Sequence, residues 1–203
     1  KSKKDKKDFI MFPFKLYKND PLWVPPLIYE MKRIIESPGS LLFQSGPHTF
    51  FNAYKSGEIV GRIAVGIDEK MNKWRNKKEG YVTLFECIND KEVAFSLLNK
   101  AEEWLKEREM EDMVGPVSPT NGDDYRGMLV ENFEDPPVIY TTYNPPYYVD
   151  FFESYGFERE HTFVAYKYDL NKLPLDDHIK VIEYAKRKYK FYTRPADYSR
   201  IPE

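Results

Sequence analysis

The feature that most constrains this chain is a block of strand, helix and strand between residues 81 and 117. Tyr81-Val-Thr-Leu-Phe-Glu-Cys-Ile88 is an apolar run of strand length, apolar enough to lie centrally in a sheet. Asp90 follows as a candidate N-cap, and Val93, Ala94, Leu97, Leu98, Ala101, Trp104 and Leu105 then recur at helical spacing. The other face of that helix is Lys, Asn, Glu and Arg. Met113-Val-Gly-Pro-Val117 reads as a short strand returning to the sheet. A crossover of this length normally leaves its two strands as parallel neighbours.

The flanking segments supply the rest of an α/β fold. Residues 48–67 read as a β-hairpin: His-Thr-Phe-Phe-Asn-Ala-Tyr-Lys, a turn at Ser56-Gly57-Glu58, then Ile59 to Ile67. A polar segment, 69–79, separates the hairpin from the central run. Upstream, residues 8–16 are apolar, and prolines 21, 25 and 26 break any long helix after them. Leu27, Ile28, Met31, Ile34 and Ile35 then form one short helical stripe. Downstream, residues 118–147 are rich in Pro, Gly, Asn, Asp and Tyr, an irregular stretch of the kind that is functional or disordered. Its tyrosines favour order. A helix over about 146–155 is expected to end at Gly156, a natural residue just past a helix terminus. Phe157 and His161 to Tyr168 are expected to supply the last strand or strands, and residues 176–188 a further helix.

Composition narrows the class. A chain of 203 residues with 41% hydrophobic and 16% aromatic residues is that of a folded protein. Its charged residues, 32% of the chain, nearly cancel to −2, which offers no general field for nucleic acid or an anionic membrane. The basic start, Lys1 to Lys7, reads as a disordered, solvated tail, with a nucleic-acid or lipid-binding arm as the alternative. Cys87 is the single cysteine, so neither an intrachain disulfide nor a thiolate zinc cluster is available. His48, His161 and His178 have no metal-ligand spacing. No apolar stretch approaches the ~18 residues of a membrane span, and no signal-peptide pattern is seen, so the chain reads as soluble and cytoplasmic. Walker-type, dinucleotide and Gly-x-Ser-x-Gly motifs are missing from the sequence.

Three segments together resemble the GNAT acyltransferase superfamily. They are the block 81–105, Phe152-Glu-Ser-Tyr-Gly-Phe157 with the run after it, and Tyr192-Thr-Arg-Pro-Ala-Asp197, which is similar to the start of a fresh GNAT module. Leu84-Phe-Glu-Cys87, Gly115-Pro-Val-Ser-Pro119 and Asn144-Pro-Pro-Tyr-Tyr148 further resemble motifs in the N-terminal half of a group of bacterial tandem GNAT-like proteins. The implied fold is α/β (α+β): a mixed, mostly antiparallel sheet with a splayed parallel pair and flanking helices. The implied domains are a tail at 1–7, a GNAT-like domain at 8–170, a linker and helix at 171–188, and the start of a second module at 189–203.

The resemblance implies transfer of an acyl group from acetyl-CoA or another acyl-CoA to an amine, with a second module of the natural chain as partner. Glu86 is the implied base, or else an outward-facing strand carboxylate. Tyr148, with Tyr147 beside it, is the implied acid for the departing thiolate, or else both tyrosines are core or surface aromatic packing. The implied cofactor contacts are Cys87, Ile88, Asn89, Lys91, Val93 and Ala94, whose turn is expected to leave backbone N–H groups available to a diphosphate. Asn144 is expected either to orient the pantetheine or a water, or to cap the helix opened by Pro145. Two departures stand out. Glu92 replaces a glycine with a negative charge in that turn, and Phe152 stands where the family has a tyrosine. The alternative is therefore a GNAT-shaped module whose cofactor site has degenerated, serving as a structural or substrate-binding partner of another GNAT domain. The polar loop of Asn121, Asp123, Asp124, Tyr125 and Arg126 is either an amine-binding loop or ordinary turn chemistry.

Overall fold

The computed structural model describes residues 2–38, 41–119, 126–139, 141–172, 175–195 and 197. Two compact units are seen, Lys1–Glu158 and Arg159–Glu203. The first begins with three helices, α1 (Lys3–Leu16), α2 (Ile28–Glu36) and α3 (Leu41–Ser45). Its sheet follows: β1 (His48–Lys55), β2 (Glu58–Ile67), then a short helix α4 (Glu69–Arg75), β3 (Glu79–Cys87), the crossover helix α5 (Lys91–Lys106), and β4 (Asp112–Val114). Helix α6 (Tyr147–Tyr155) completes it.

The four strands lie in the order β1-β2-β3-β4. β1, β2 and β3 are antiparallel neighbours, while β3 and β4 are parallel through Glu79–Tyr81 and Asp112–Val114. The hairpin turns on Ser56 and Gly57, both at positive φ, the geometry that matches the twist of paired strands. The GNAT-like arrangement expected from the sequence is therefore the one seen: a mixed, mostly antiparallel sheet with one parallel pair and helices on both faces.

Strand alternation decides what each helix covers. Ile63, Val65 and Ile67 of β2 point to one face, where Ala94, Leu97, Leu98, Ala101 and Leu105 of α5 and Phe151 and Phe152 of α6 bury against them. These α5 residues are the stripe read from the sequence. Ala64 and Leu84 point the other way, onto Phe9 and Ile10 of α1 and Met31, Ile34 and Ile35 of α2. The result is a sheet sandwiched between helical layers.

A bulge in β3 governs the rest. Arg62 pairs with Glu86 but Ala64 pairs with Thr83, so Ile63 alone faces both Leu84 and Phe85. Leu84 adopts φ +51 to accommodate the extra residue, a conformation that costs a non-glycine residue roughly 1–2 kcal/mol. In an unbroken strand, side chains alternate with a period of two, and Glu86 would share the α5 face with Val82. The bulge shifts that parity. Phe85 and Cys87 enter the α5 core, and Glu86 turns toward α1.

Two segments differ from the sequence reading. Residues 3–7 are the first turn of α1 rather than a tail, because Ser2 and Asp5 form a capping box: Ser2 Oγ accepts the Asp5 N–H at 3.1 Å, and the Asp5 carboxylate accepts the Ser2 N–H at 2.9 Å. Residues 161–168, expected as a strand, form no ladder among the described residues, and Phe163, Val164, Tyr166 and Tyr168 are exposed. A strand gains its stability from ladder pairing, and no ladder to this segment is formed by the described residues. That unit otherwise holds a 3-10 turn, Leu170–Lys172, and α7 (Leu175–Tyr189), the helix expected over 176–188.

The α6 terminus follows the Gly156 signal. Gly156 sits at φ +114, and the Phe157 N–H bonds back to the Phe152 carbonyl at 3.0 Å, closing the helix with the two rings 4.8 Å apart. Close packing also demands glycine at Gly80, where an added Cβ would overlap the Leu105 side chain. Gly80→Ala is expected to destabilise the fold by about 1–3 kcal/mol. Urea unfolding measures it, and an unchanged midpoint would show that α5 sits further from β3 than described.

Candidate active site

Glu86 lies near the end of β3 with its side chain 15% exposed. Two tyrosines donate to the same oxygen: the Tyr17 hydroxyl reaches Oε2 at 2.6 Å and the Tyr148 hydroxyl at 2.8 Å. The Arg62 guanidinium, through Nη2, stands 3.9 Å from Oε1. Arg62 is only 2% exposed, donates from Nη1 to the Phe9 carbonyl at 2.7 Å, and lies over the Phe9 ring at 4.8 Å. A buried guanidinium needs this surround, because desolvation of an unmatched charge is costly.

Tyr148 links the carboxylate to the strand backbone. Its hydroxyl accepts the Cys87 N–H at 2.6 Å, and Tyr147 donates to the Cys87 carbonyl at 3.0 Å. Those backbone groups point to the edge of β3 that faces β4. The parallel ladder covers Glu79–Tyr81, and Val117 still donates its N–H to the Val82 carbonyl at 2.9 Å. Beyond that, the edge of β3 at Cys87 is met by α6 tyrosines instead of a strand. Val82 and Cys87 use the same edge despite an odd separation in sequence, which the bulge makes possible.

The protonation states follow from burial. Loss of water pushes the Glu86 carboxyl above its ordinary value, with Arg62 and then the two tyrosine hydroxyls opposing the rise. Burial, reinforced by the negative charge of Glu86, holds Tyr148 and Tyr17 protonated far past neutral pH. Tyr147 is raised in the same way, burial first. The Cys87 thiol is pushed up to about 12 by burial, then by Asp90 and Glu86, so it supplies no thiolate nucleophile at neutral pH.

The turn after β3 differs from the expectation of available N–H groups. Ile88 donates to the Val60 carbonyl at 3.0 Å and Asp90 to the Ile88 carbonyl at 2.6 Å. The Asp90 carboxylate takes the Glu92 and Val93 N–H groups at 3.1 and 3.3 Å, and the Asp90 carbonyl takes that of Ala94 at 3.1 Å. This is N-capping by a short acidic side chain, held further by Lys55 at 3.0 Å. Asn89 is exposed, and Lys91 lies over the Phe95 ring at 5.1 Å.

The remaining candidates sit apart from Glu86. Asn144 is 4% exposed, and its side chain accepts the Leu129 N–H at 2.7 Å while donating to the Leu129 and Pro145 carbonyls at 3.2 and 3.0 Å. It ties the irregular segment to the start of α6 and makes no cap bond to that helix. Phe152 is 1% exposed, between Phe85 and Phe157. Asn121, Asp123, Asp124 and Tyr125 lie outside the described residues, while Arg126 is described and exposed. Among the described residues no three His, Cys, Asp or Glu side chains gather as metal ligands, and no helix is long and apolar enough to cross a membrane.

Tyr17 and Arg62 were not read from the sequence. A signal existed for Arg62: it is the one charge within Ile59–Ile67, just as Glu86 is the one charge in the central strand run, and buried opposite charges seek each other. Nothing local marked Tyr17, 69 residues from its partner.

No protein-family model matches the chain. It is 33% identical over 163 residues to Protein YghO of Escherichia coli (strain K12), covering 78% of this chain and 40% of that protein. To the bacterial ceramide synthase of Caulobacter vibrioides (strain NA1000 / CB15N) it is 29% identical over 164 residues, 80% of this chain and 42% of that protein. The chain thus spans about 40% of the length of the curated relatives it matches. Among solved structures, it is similar to an aminoglycoside acetyltransferase, meta-AAC0020, from an uncultured soil metagenomic sample in complex with sisomicin: TM-score 0.47, 13% identity, 82% of this chain and 89% of that one. It is also similar to a ribosomal-protein-alanine N-acetyltransferase from Brucella melitensis biovar Abortus 2308, with TM-score 0.46, 11% identity, 81% of this chain and 94% of that one.

The raised Glu86 value carries a stability signature. The folded chain keeps this proton at pH values where the unfolded chain has released it, so the contribution is full below the ordinary value of 4.5 and is lost as pH rises through the folded value. Glu86→Gln keeps the size and the acceptor but has no such dependence. The melting temperature of the unaltered chain is expected to fall relative to Glu86→Gln across that window. A difference that stays constant with pH would reject the raised value.

Proposed function

We propose that this chain is an acyl-CoA-dependent N-acyltransferase domain of GNAT type within a longer protein, joining an acyl group to an amine. The observation that carries this reading is the hydrogen-bonded pair of Glu86 and Tyr148 where β3 is bulged and its edge passes from β4 to α6. The two groups suit the two proton transfers of amide formation. The amine nitrogen bonds to the thioester carbonyl carbon, and the carbon–sulfur bond breaks. Glu86, a carboxylate of raised proton affinity, takes the proton that nitrogen sheds. Tyr148, held protonated by burial, gives its proton to the departing CoA thiolate. The 2.8 Å contact between them then returns the proton from Glu86 to the Tyr148 phenolate, restoring both groups.

In this reading Cys87, Ile88, Asn89, Lys91, Val93 and Ala94 form the wall toward the diphosphate, with Asn144 and Phe152 supporting α6 behind it. The Asp90 carboxylate must swing off the Glu92 and Val93 N–H groups for a diphosphate to use them. Lys55, paired with Asp90, and Lys91, in the first turn of α5, are then cations to receive it. One relative bears the name bacterial ceramide synthase. A ceramide is the amide of a fatty acid and a long-chain amino alcohol, so a long-chain amino alcohol with a long-chain acyl-CoA is the substrate pair to test first, and acetyl-CoA the second donor.

Asp90 also favours another reading. With its carboxylate in the diphosphate position and Lys55 holding it there, the chain is a module whose cofactor site has closed, acting as a structural or substrate-gripping partner of a second GNAT-like module. Calorimetric titration with acetyl-CoA and a long-chain acyl-CoA separates the two. Binding in the micromolar range, tightened several-fold in Asp90→Ser by loss of the competing charge, is expected for the enzyme. Silence up to millimolar ligand, in both proteins, would leave only the partner module. Once turnover is detected, Tyr148→Phe is expected to lower kcat by about a hundredfold, and undiminished CoA release would remove Tyr148 from the chemistry.

A further inference from the structure

Tyr17 stands at the end of α1 and is 4% exposed. Its ring stacks on Trp23 at 5.0 Å and meets Tyr143 edge-on at 5.8 Å. Two aromatic neighbours fix the ring plane, so the hydroxyl has one direction in which to point, and there it meets Glu86 Oε2 at 2.6 Å. The groups facing Glu86 are Tyr17 from the end of α1, Arg62 from β2, Tyr147 and Tyr148 from α6, and Cys87 beside it on β3. Of the two hydroxyls on Oε2, that of Tyr148 is shared with the Cys87 backbone. Arg62 is drawn aside to the Phe9 carbonyl, with 3.9 Å between it and Oε1.

We propose that Tyr17 is a positioning residue for Glu86: it anchors Oε2 from the α1 side, keeping the carboxylate on the Tyr148 hydroxyl where α6 meets the edge of β3, while Tyr148 loses and regains its proton. This rests on the acyl-transfer reading above. The division of labour follows from placement. Tyr148 reaches both the carboxylate and the strand edge, so it is the hydroxyl that exchanges a proton with the leaving group. Tyr17 lies behind the carboxylate among aromatic rings and serves as a standing donor to its charged form. Removing that donor weakens the ionised state of Glu86 and lets the side chain turn toward Arg62. It leaves the Ile88–Ala94 turn untouched, since Tyr17 makes no bond there.

The test compares Tyr17→Phe with Tyr143→Phe. The first keeps the ring and deletes the hydroxyl at Glu86; the second deletes the hydroxyl that donates to Asp20 at 2.6 Å and leaves Tyr17 in place. In the chain labelled with 13C at glutamate side-chain carboxyls, Glu86 is the resonance missing from Glu86→Gln. It is expected to titrate at higher pH in Tyr17→Phe and as in the unaltered chain in Tyr143→Phe. In acyl transfer, Tyr17→Phe is expected to lower kcat about tenfold, the worth of one hydrogen bond to a charged group. The acid limb of its pH profile moves to higher pH, and KM for acyl-CoA is unchanged. An unmoved Glu86 titration in folded Tyr17→Phe would overturn the proposal, as would the same shift in Tyr143→Phe. If the unaltered chain transfers no acyl group at all, the enzyme reading fails by itself, and the carboxyl titration still decides whether Tyr17 controls Glu86.

Discussion

The Arg62–Glu86 pair is the constraint around which the first unit is arranged. A guanidinium at 2% exposure in the middle of a sheet requires a carboxylate and a carbonyl nearby. Removing one partner of such a buried pair typically costs about 3–5 kcal/mol, which binds β2, β3 and α1 into one cooperative unit. Glu86 answers from β3 and the Phe9 carbonyl from α1. Tyr17, Tyr148 and the Phe9 ring then close the space around the charges, so the helical layers on both sides of the sheet meet at one carboxylate.

That meeting is possible because β3 is not a regular strand. The extra residue at Leu84 and Phe85 reverses the facing of everything after it. Three consequences follow from one backbone distortion. Phe85 and Cys87 fill the core against α5, Glu86 leaves that core for the α1 side, and the Cys87 backbone turns to the edge facing away from β2. Bulges commonly serve to re-aim a side chain, and here the bulge re-aims Glu86, the acid near the C-terminal end of the strand.

The turn into α5 holds the opposing tendency. A helix N-terminus attracts negative charge, and this chain satisfies the attraction with its own Asp90. In the proposed reading, an external diphosphate would have to compete with this intramolecular carboxylate, which is already paired with Lys55. In the proposed acyl-transfer reading, Glu86 and Tyr148 already lie in hydrogen-bond contact, and access to the helix terminus depends on the Asp90 side chain. The balance between these two features separates an enzyme domain from a partner module.

Much of the fold was legible locally. The α5 stripe, the 48–67 hairpin and the Gly156 stop each depend on residues within one or two turns or strand repeats, and the structure has all three. Local pattern misled at two places. The Ser2–Asp5 capping box was hidden by the lysines around it, and residues 161–168 have strand composition but form no ladder among the described residues. Within the candidate site, Glu86 and Tyr148 were recognisable as residue types able to move protons, and the acids of the 89–94 turn as a difficulty for a diphosphate. The sequence by itself determined the hairpin, the central strand and the crossover helix with its apolar face, because those depend on short-range periodicity. Tertiary structure alone decided that Glu86 faces Tyr17 and Arg62, since facing depends on a bulge whose parity is set by pairing with β2, and on a tyrosine brought from 69 residues away.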